Sequence, residues 1–143
     1  MGTISKNFSY REFEQSETAD KKDITNVITT VAVRDSIKAL VDNVLQPLRD
    51  EWNEPLVINS GYRCAKLNTA VGGVPTSQHV KGEAADVACD KPLDLAQIAH
   101  DMDLPYDQMI LYPTFVHFSH KLDGKQRKQI LYNKSYKGGK VKP

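Results

Sequence analysis

Four histidines punctuate the chain, at positions 79, 100, 117 and 120, and two of them stand where an imidazole could do chemistry. His79 lies in a polar stretch directly before an alternating run that contains Asp86. His117 sits in the middle of Phe115-Val116-His117-Phe118-Ser119, flanked by large apolar side chains. Neutral imidazoles and a carboxylate are natural ligands of zinc, and a catalytic zinc needs three protein ligands with one position left open for water. Two histidines and one aspartate meet that count. Their spacing does not settle the matter, because the interval from His79 to Asp86 follows no helical repeat. A histidine on an apolar strand is more often a hydrogen-bonded core residue, whereas an aspartate among small strand residues wants a charged or donor partner. On the residues alone, a metal site and a hydrogen-bonded core stand level.

Holding such residues together requires a rigid frame, and the sequence offers one. Glu83 to Cys89 reads as a strand, with Ala84, Asp86 and Ala88 on one face and Ala85 and Val87 on the other. Gln108–Tyr112 and Phe115–His120 form two more strands joined through Pro113-Thr114, and Gln129–Tyr132 a last one. Pro55 to Asn59 is a short buried strand entering the turn Ser60-Gly61-Tyr62-Arg63. The clearest helical pattern is the stripe Val33, Ile37, Leu40, Val41, Val44, Leu45 and Leu48, with Pro47 expected to kink or end it. Ala65–Val71 reads as a short helix ended by Gly72-Gly73. Another helix starts near Pro92 and carries Leu93, Leu95, Ile98, Ala99 and Met102. Phe8, Tyr10 and Phe13 are placed to pin an N-terminal arm, residues 1–28, onto the body, and residues 133–143 read as a loose Lys/Gly-rich tail. Helices come mostly early and strands mostly late. The expected class is therefore α+β, one domain over 1–143, with a small antiparallel sheet and helices packed on one side.

Composition narrows the partners. The chain has 143 residues, 40% hydrophobic and 26% charged, and its 19 Lys and Arg against 18 Asp and Glu leave a net charge of +1. That balance argues against nucleic acid or an anionic membrane as the main partner. No run approaches the roughly 20 apolar residues of a membrane span. The start, Met1-Gly2-Thr3-Ile4-Ser5-Lys6, lacks the apolar run of a secretory signal. Cys64 and Cys89 are the two cysteines, and they read as reduced, partly buried thiols.

A longer pattern joins these pieces. Ser60-Gly61-Tyr62-Arg63, then Leu67-Asn68-Thr69-Ala70-Val71-Gly72-Gly73, then Ser77-Gln78-His79-Val80-Lys81-Gly82-Glu83-Ala84-Ala85-Asp86-Val87 resembles the zinc D-alanyl-D-alanine peptidase family. That family includes the VanX and VanY peptidases and several phage endolysins, and its hallmark is S-x-H-x-x-G-x-A-x-D with a downstream His, here His117. The resemblance runs from about Phe8 to about Tyr132 and is nearest to the compact bacterial and phage branch. It implies the fold shared by these peptidases and the Hedgehog signalling domain. It also implies Zn2+ on His79, Asp86 and His117, hydrolysis of a peptide bond in peptidoglycan stem peptides, and a monomer. Arg63 resembles the family's arginine that steadies the oxyanion or holds substrate, Ser77 a substrate-carboxylate contact, and Gln78 a neighbour in the same pocket. The setting implied is a phage-type lysin, cytoplasmic until released to the cell wall, or an exported enzyme whose leader was removed.

The chain departs from the family's pattern in one respect. Many members carry a Glu shortly before the last His as general base, but Gln108 to His117 contains no acid. Asp107 and His120 are the nearest titratable groups, so Asp107 stands as the candidate base. The gap keeps two other readings open: a zinc-containing module that binds wall peptides without cleaving them, and a structural or signalling domain that reuses the fold.

Overall fold

The computed structural model describes residues 2–143. A two-stranded ribbon, β1 (Thr3–Ser5) and β2 (Phe8–Ser9), leads into α1 (Tyr10–Glu14) and α2 (Glu17–Lys21). Ser9 opens α1 with a capping box closed by Glu12, and Ser16 caps α2 by accepting from the Ala19 N–H at 3.1 Å. Phe8, Tyr10 and Phe13 are all buried, which docks the arm as expected.

The long apolar stripe becomes a helical rod in three parts: α3 (Val31–Leu40), a π-turn (Val41–Leu45) and α4 (Gln46–Trp52). Ile37, Leu40, Val41, Val44, Leu45 and Leu48 have no solvent exposure. Pro47 does not end this helix, which continues to Trp52. Its ring would meet the carbonyl four residues back and it offers no N–H, and the widened π-turn just before it accommodates both defects. The rod stops instead at Asn53, whose left-handed φ of 58° reverses the chain.

The remaining elements are β3 (Val57–Ser60), α5 (Ala65–Ala70), β4 (Ala84–Ala88), α6 (Pro92–Asp101), β5 (Gln108–Leu111), β6 (Phe115–Ser119) and β7 (Gln129–Tyr132). The strands form one sheet in the order β3-β4-β6-β5-β7. β3 is therefore an edge strand, half exposed rather than buried, and Val57 stands 59% exposed. The class is α+β. The main sheet is mixed, since β7 pairs parallel to β5 while the other neighbours run antiparallel.

Alternation along each strand divides the sheet into two faces. Ala85, Val87, Met109, Leu111, Val116 and Phe118 point into the core, all fully buried, where α6 packs on β5, β6 and α4. The opposite face carries a lateral row set by register: Ser60 pairs Asp86, Asp86 pairs His117, and His117 pairs Ile110. A one-residue slip would bury Asp86 and His117 in the core, so the apolar pattern of the inner face also fixes the outer one.

The segment after Tyr132, read as loose from its composition, makes specific contacts. The Val141 N–H donates to Tyr132 Oη at 2.8 Å, and Gln97 exchanges hydrogen bonds with Lys142. Both cysteines are free and partly buried. Among the described residues no helix is long and apolar enough to cross a membrane.

Candidate metal centre

His79 reaches the outer face from a loop whose shape depends on Gly82. That residue adopts φ +76°, and a side chain there would run into the Val33 carbonyl of α3 at 2.7 Å. The turn brings the chain from His79 back to Asp86 within one strand entry. His79 is 4% exposed, and its Nδ1 lies 2.7 Å from the Gly61 carbonyl. A carbonyl can only accept, so Nδ1 carries the proton and Nε2 presents a lone pair. Gly61 occupies a constrained place of its own, between the end of β3 and α1, where the Tyr62 N–H donates to the Phe13 carbonyl at 2.8 Å.

Asp86 and His117 come from neighbouring strands at paired positions. His117 Nδ1 lies 2.9 Å from Asp86 Oδ1, and His79 Nε2 lies 3.4 Å from the same oxygen. The two rings meet edge to face, 5.1 Å between centroids. One ligand atom from each of the three residues falls within 4.8 Å of the other two. Burial alone would push the Asp86 carboxyl up, but the hydrogen bond with His117 and the neighbouring His79 imidazole outweigh it and hold it well below the usual carboxylate range. The strand partner of Asp86 is irregular: β3 bulges between Ile58 and Ser60, so two residues face one. Bulges of this kind commonly re-aim side chains beside sites.

Donor chemistry tests the fit to a metal. Two imidazole nitrogens and one carboxylate oxygen form the three-ligand set of a catalytic zinc, and Gly61 supplies the carbonyl that orients the first histidine. A structural zinc site would want a fourth protein ligand, and neither cysteine is in the cluster. The cluster lines a cavity of about 410 Å³ whose walls also include Arg63, Ser77, Gln78, Tyr112 and Arg127. The residues fit the ion.

Arg63 is held as a fixed charge. Its Nε donates to Ser60 Oγ at 3.2 Å, Nη1 to Asn68 Oδ1 at 3.3 Å, and Nη2 lies 3.9 Å from Asp86 Oδ2. Asn26, buried, donates to the Glu14 and Tyr62 carbonyls and accepts from the Cys64 N–H, tying down the turn that carries Arg63. Ser77 lines the cavity and accepts from the His79 N–H at 3.2 Å. Burial pushes the Tyr112 phenol up, with a smaller contribution from Asp86, so it stays a protonated donor at the rim.

Asp107, the candidate base, is not in the cavity wall. Its carboxylate has no exposed surface, and both oxygens are engaged. Oδ1 accepts from the Arg127 N–H at 2.8 Å, Oδ2 from Arg127 Nη2 at 2.7 Å, Nε bridges both, and Gln78 Nε2 donates to Oδ2 at 3.2 Å. Burial would raise its pKa, but the Arg127 hydrogen bonds and charge lower it on balance. His120 also points elsewhere, with Nδ1 2.7 Å from the Pro105 carbonyl. Sequence reasoning passed over Arg127, Asn68 and Asn26. Arg127 stands in a basic loop where nothing in the local pattern distinguishes it from its lysine neighbours.

A family profile described as Peptidase M15 matches residues 6–120. The chain belongs to the Peptidase M15 family. It is thereby a peptidase of the metallopeptidase type, and the matched segment holds Arg63, Ser77, Gln78 and the His79, Asp86 and His117 cluster, while β7 and Arg127 lie beyond it. No curated protein matches the chain.

Proposed function

We propose that this M15 peptidase hydrolyses a peptide bond in bacterial peptidoglycan with a zinc ion held by His79 Nε2, Asp86 and His117 Nδ1, as a carboxypeptidase or endopeptidase of the endolysin type. The observation that carries the reading is the convergence of one ligand atom from each of those three residues within 4.8 Å, in the lining of a cavity that Arg63 also lines. When bound, zinc supplies Lewis acidity for a scissile carbonyl and lowers the pKa of water. Arg63, locked by Ser60 and Asn68, places a permanent positive charge where negative charge develops, and it needs no reorganisation to do so. Ser77 and Gln78 contact substrate from the His79 loop. The Asp107 carboxylate, saturated by Arg127 and Gln78, acts as a positioning residue for the wall rather than as the base. The protein works as a monomer on wall stem peptides, in a phage-type lysis setting.

Among the described residues lining the cavity, Asp86 is the one carboxylate, and it is a ligand. That favours a second reading, a zinc-containing wall-peptide binder with little turnover. Elemental analysis of protein purified without added metal, with His79→Ala and His117→Ala alongside, separates the cases. One zinc per chain, lost in both variants, with peptide cleavage by mass spectrometry that stops on chelation, is the expected result. Zinc with binding but no cleavage supports the second reading. No zinc after zinc is offered rejects both.

A further inference from the structure

The cavity wall contains a second arginine with a geometry of its own. Arg127 sits in the loop before β7, beyond the family-matched segment, with its side chain 48% exposed against a fully buried Asp107 partner. Asp107 takes the Nε edge of the guanidinium, through Nε and one Nη2 proton. Nη1 is not among the atoms bonded to Asp107, so Nη1 and the second Nη2 proton form a free fork on the outer edge. A planar fork held rigid along one edge is well suited to receive a carboxylate on the other. The cavity's charges point the same way. With a divalent cation on His79, Asp86 and His117, the Asp86 charge is consumed and Arg63 is left without a counter-charge in the cavity, while Arg127 keeps Asp107 on its inner edge and presents only the outer fork.

We propose that Arg127 is a specificity-determining residue that binds a substrate carboxylate in the metal-centre cavity, with Asp107 and Gln78 fixing its orientation. The proposal rests on the peptidase reading of the site and adds a requirement to it: the substrate is a peptide with a free carboxylate near the scissile bond. Two carboxylates of a wall stem peptide offer this chemistry, the C-terminal one and that of its D-Glu residue.

The test uses three stem peptides: one with both carboxylates free, one with the C-terminus amidated, and one with the D-Glu carboxylate amidated. Binding to the full chain is read by titration calorimetry, with cleavage followed in parallel by mass spectrometry. Because Arg127→Gln alone would strand the buried Asp107 charge, the Asp107→Asn/Arg127→Gln double variant is included, and Arg127→Lys keeps charge without the fork. The expected result is that wild type binds the fully free peptide at least about tenfold tighter than one of the amides, the loss expected for one charge-assisted contact. Which amide loses affinity identifies the carboxylate. The double variant should bind all three peptides alike, with Arg127→Lys between. A preference that survives in the folded double variant, or no preference in wild type, overturns the proposal even if cleavage is intact. Cleavage absent with the preference present sinks the catalytic reading and leaves the carboxylate site standing.

Discussion

Gly61→Ala is the substitution that most directly tests how the fold aims His79, the first of the proposed ligands. A Cβ at Gly61 would lie 2.7 Å from Phe13 Cδ2 and 2.8 Å from Phe13 Cα. The second contact is with backbone, so no rotamer of Phe13 relieves it, and Phe13 itself has no exposed surface into which to move. Either α1 or the turn after β3 must shift by several tenths of an ångström. Overpacking of this kind costs about 2 kcal/mol, which for a chain of this size lowers Tm by about 4–8 °C. The displaced group includes the carbonyl that holds His79 Nδ1 at 2.7 Å. Loosening such an orienting contact weakens metal binding by about 10- to 100-fold. Thermal unfolding of the metal-free protein reads the first effect, and zinc competition against a chromophoric chelator reads the second. Zinc affinity equal to wild type, alongside a lowered Tm, would show that the Gly61 carbonyl does not orient the histidine. An unchanged Tm would refute the close packing of α1 on the turn.

Two further outcomes follow from the same geometry. Arg63→Lys keeps a charge but loses the Ser60 and Asn68 bonds that fix it. It should reduce turnover of wall peptides by about 100-fold with zinc content unaltered, and wild-type turnover would refute the oxyanion role. Asp107→Asn should cost about 1–3 kcal/mol at neutral pH, the value of hydrogen bonds to a charged acceptor, with the half-exposed Arg127 partly re-solvated. Because the folded Asp107 pKa is depressed, its contribution is complete above the ordinary carboxylate value of about 4 and is lost as pH falls through the folded value. Denaturant titrations at pH 7 and on the acid side should therefore converge for wild type and variant as pH drops, and parallel curves would refute the coupling.

Much of this protein was legible as local pattern. Period-2 alternation put Asp86 on one strand face with Ala84 and Ala88, and period-3.6 spacing found the stripe from Val33 to Leu48, because both signals are carried by residues close in the chain. The His79, Asp86 and His117 set, with Arg63 behind the Gly61 turn, was readable from a motif. Its convergence was not, since Asp86 opposite His117 is a matter of strand register across a long interval. Of the two effects expected of Pro47, a kink or an end, the end did not occur, because the preceding turn widens into a π-turn and the buried stripe on both sides keeps the rod together. β3 reads as buried from its apolar run, yet an edge position is a property of the sheet and not of the strand. Tertiary structure alone decided that β7 lies parallel to β5, and this places the preceding loop, and so Arg127, against Asp107 and the cavity. It turned the candidate base into the buried half of an ion pair with Arg127 at the cavity wall, because a carboxylate's role is set by which charges reach it in space.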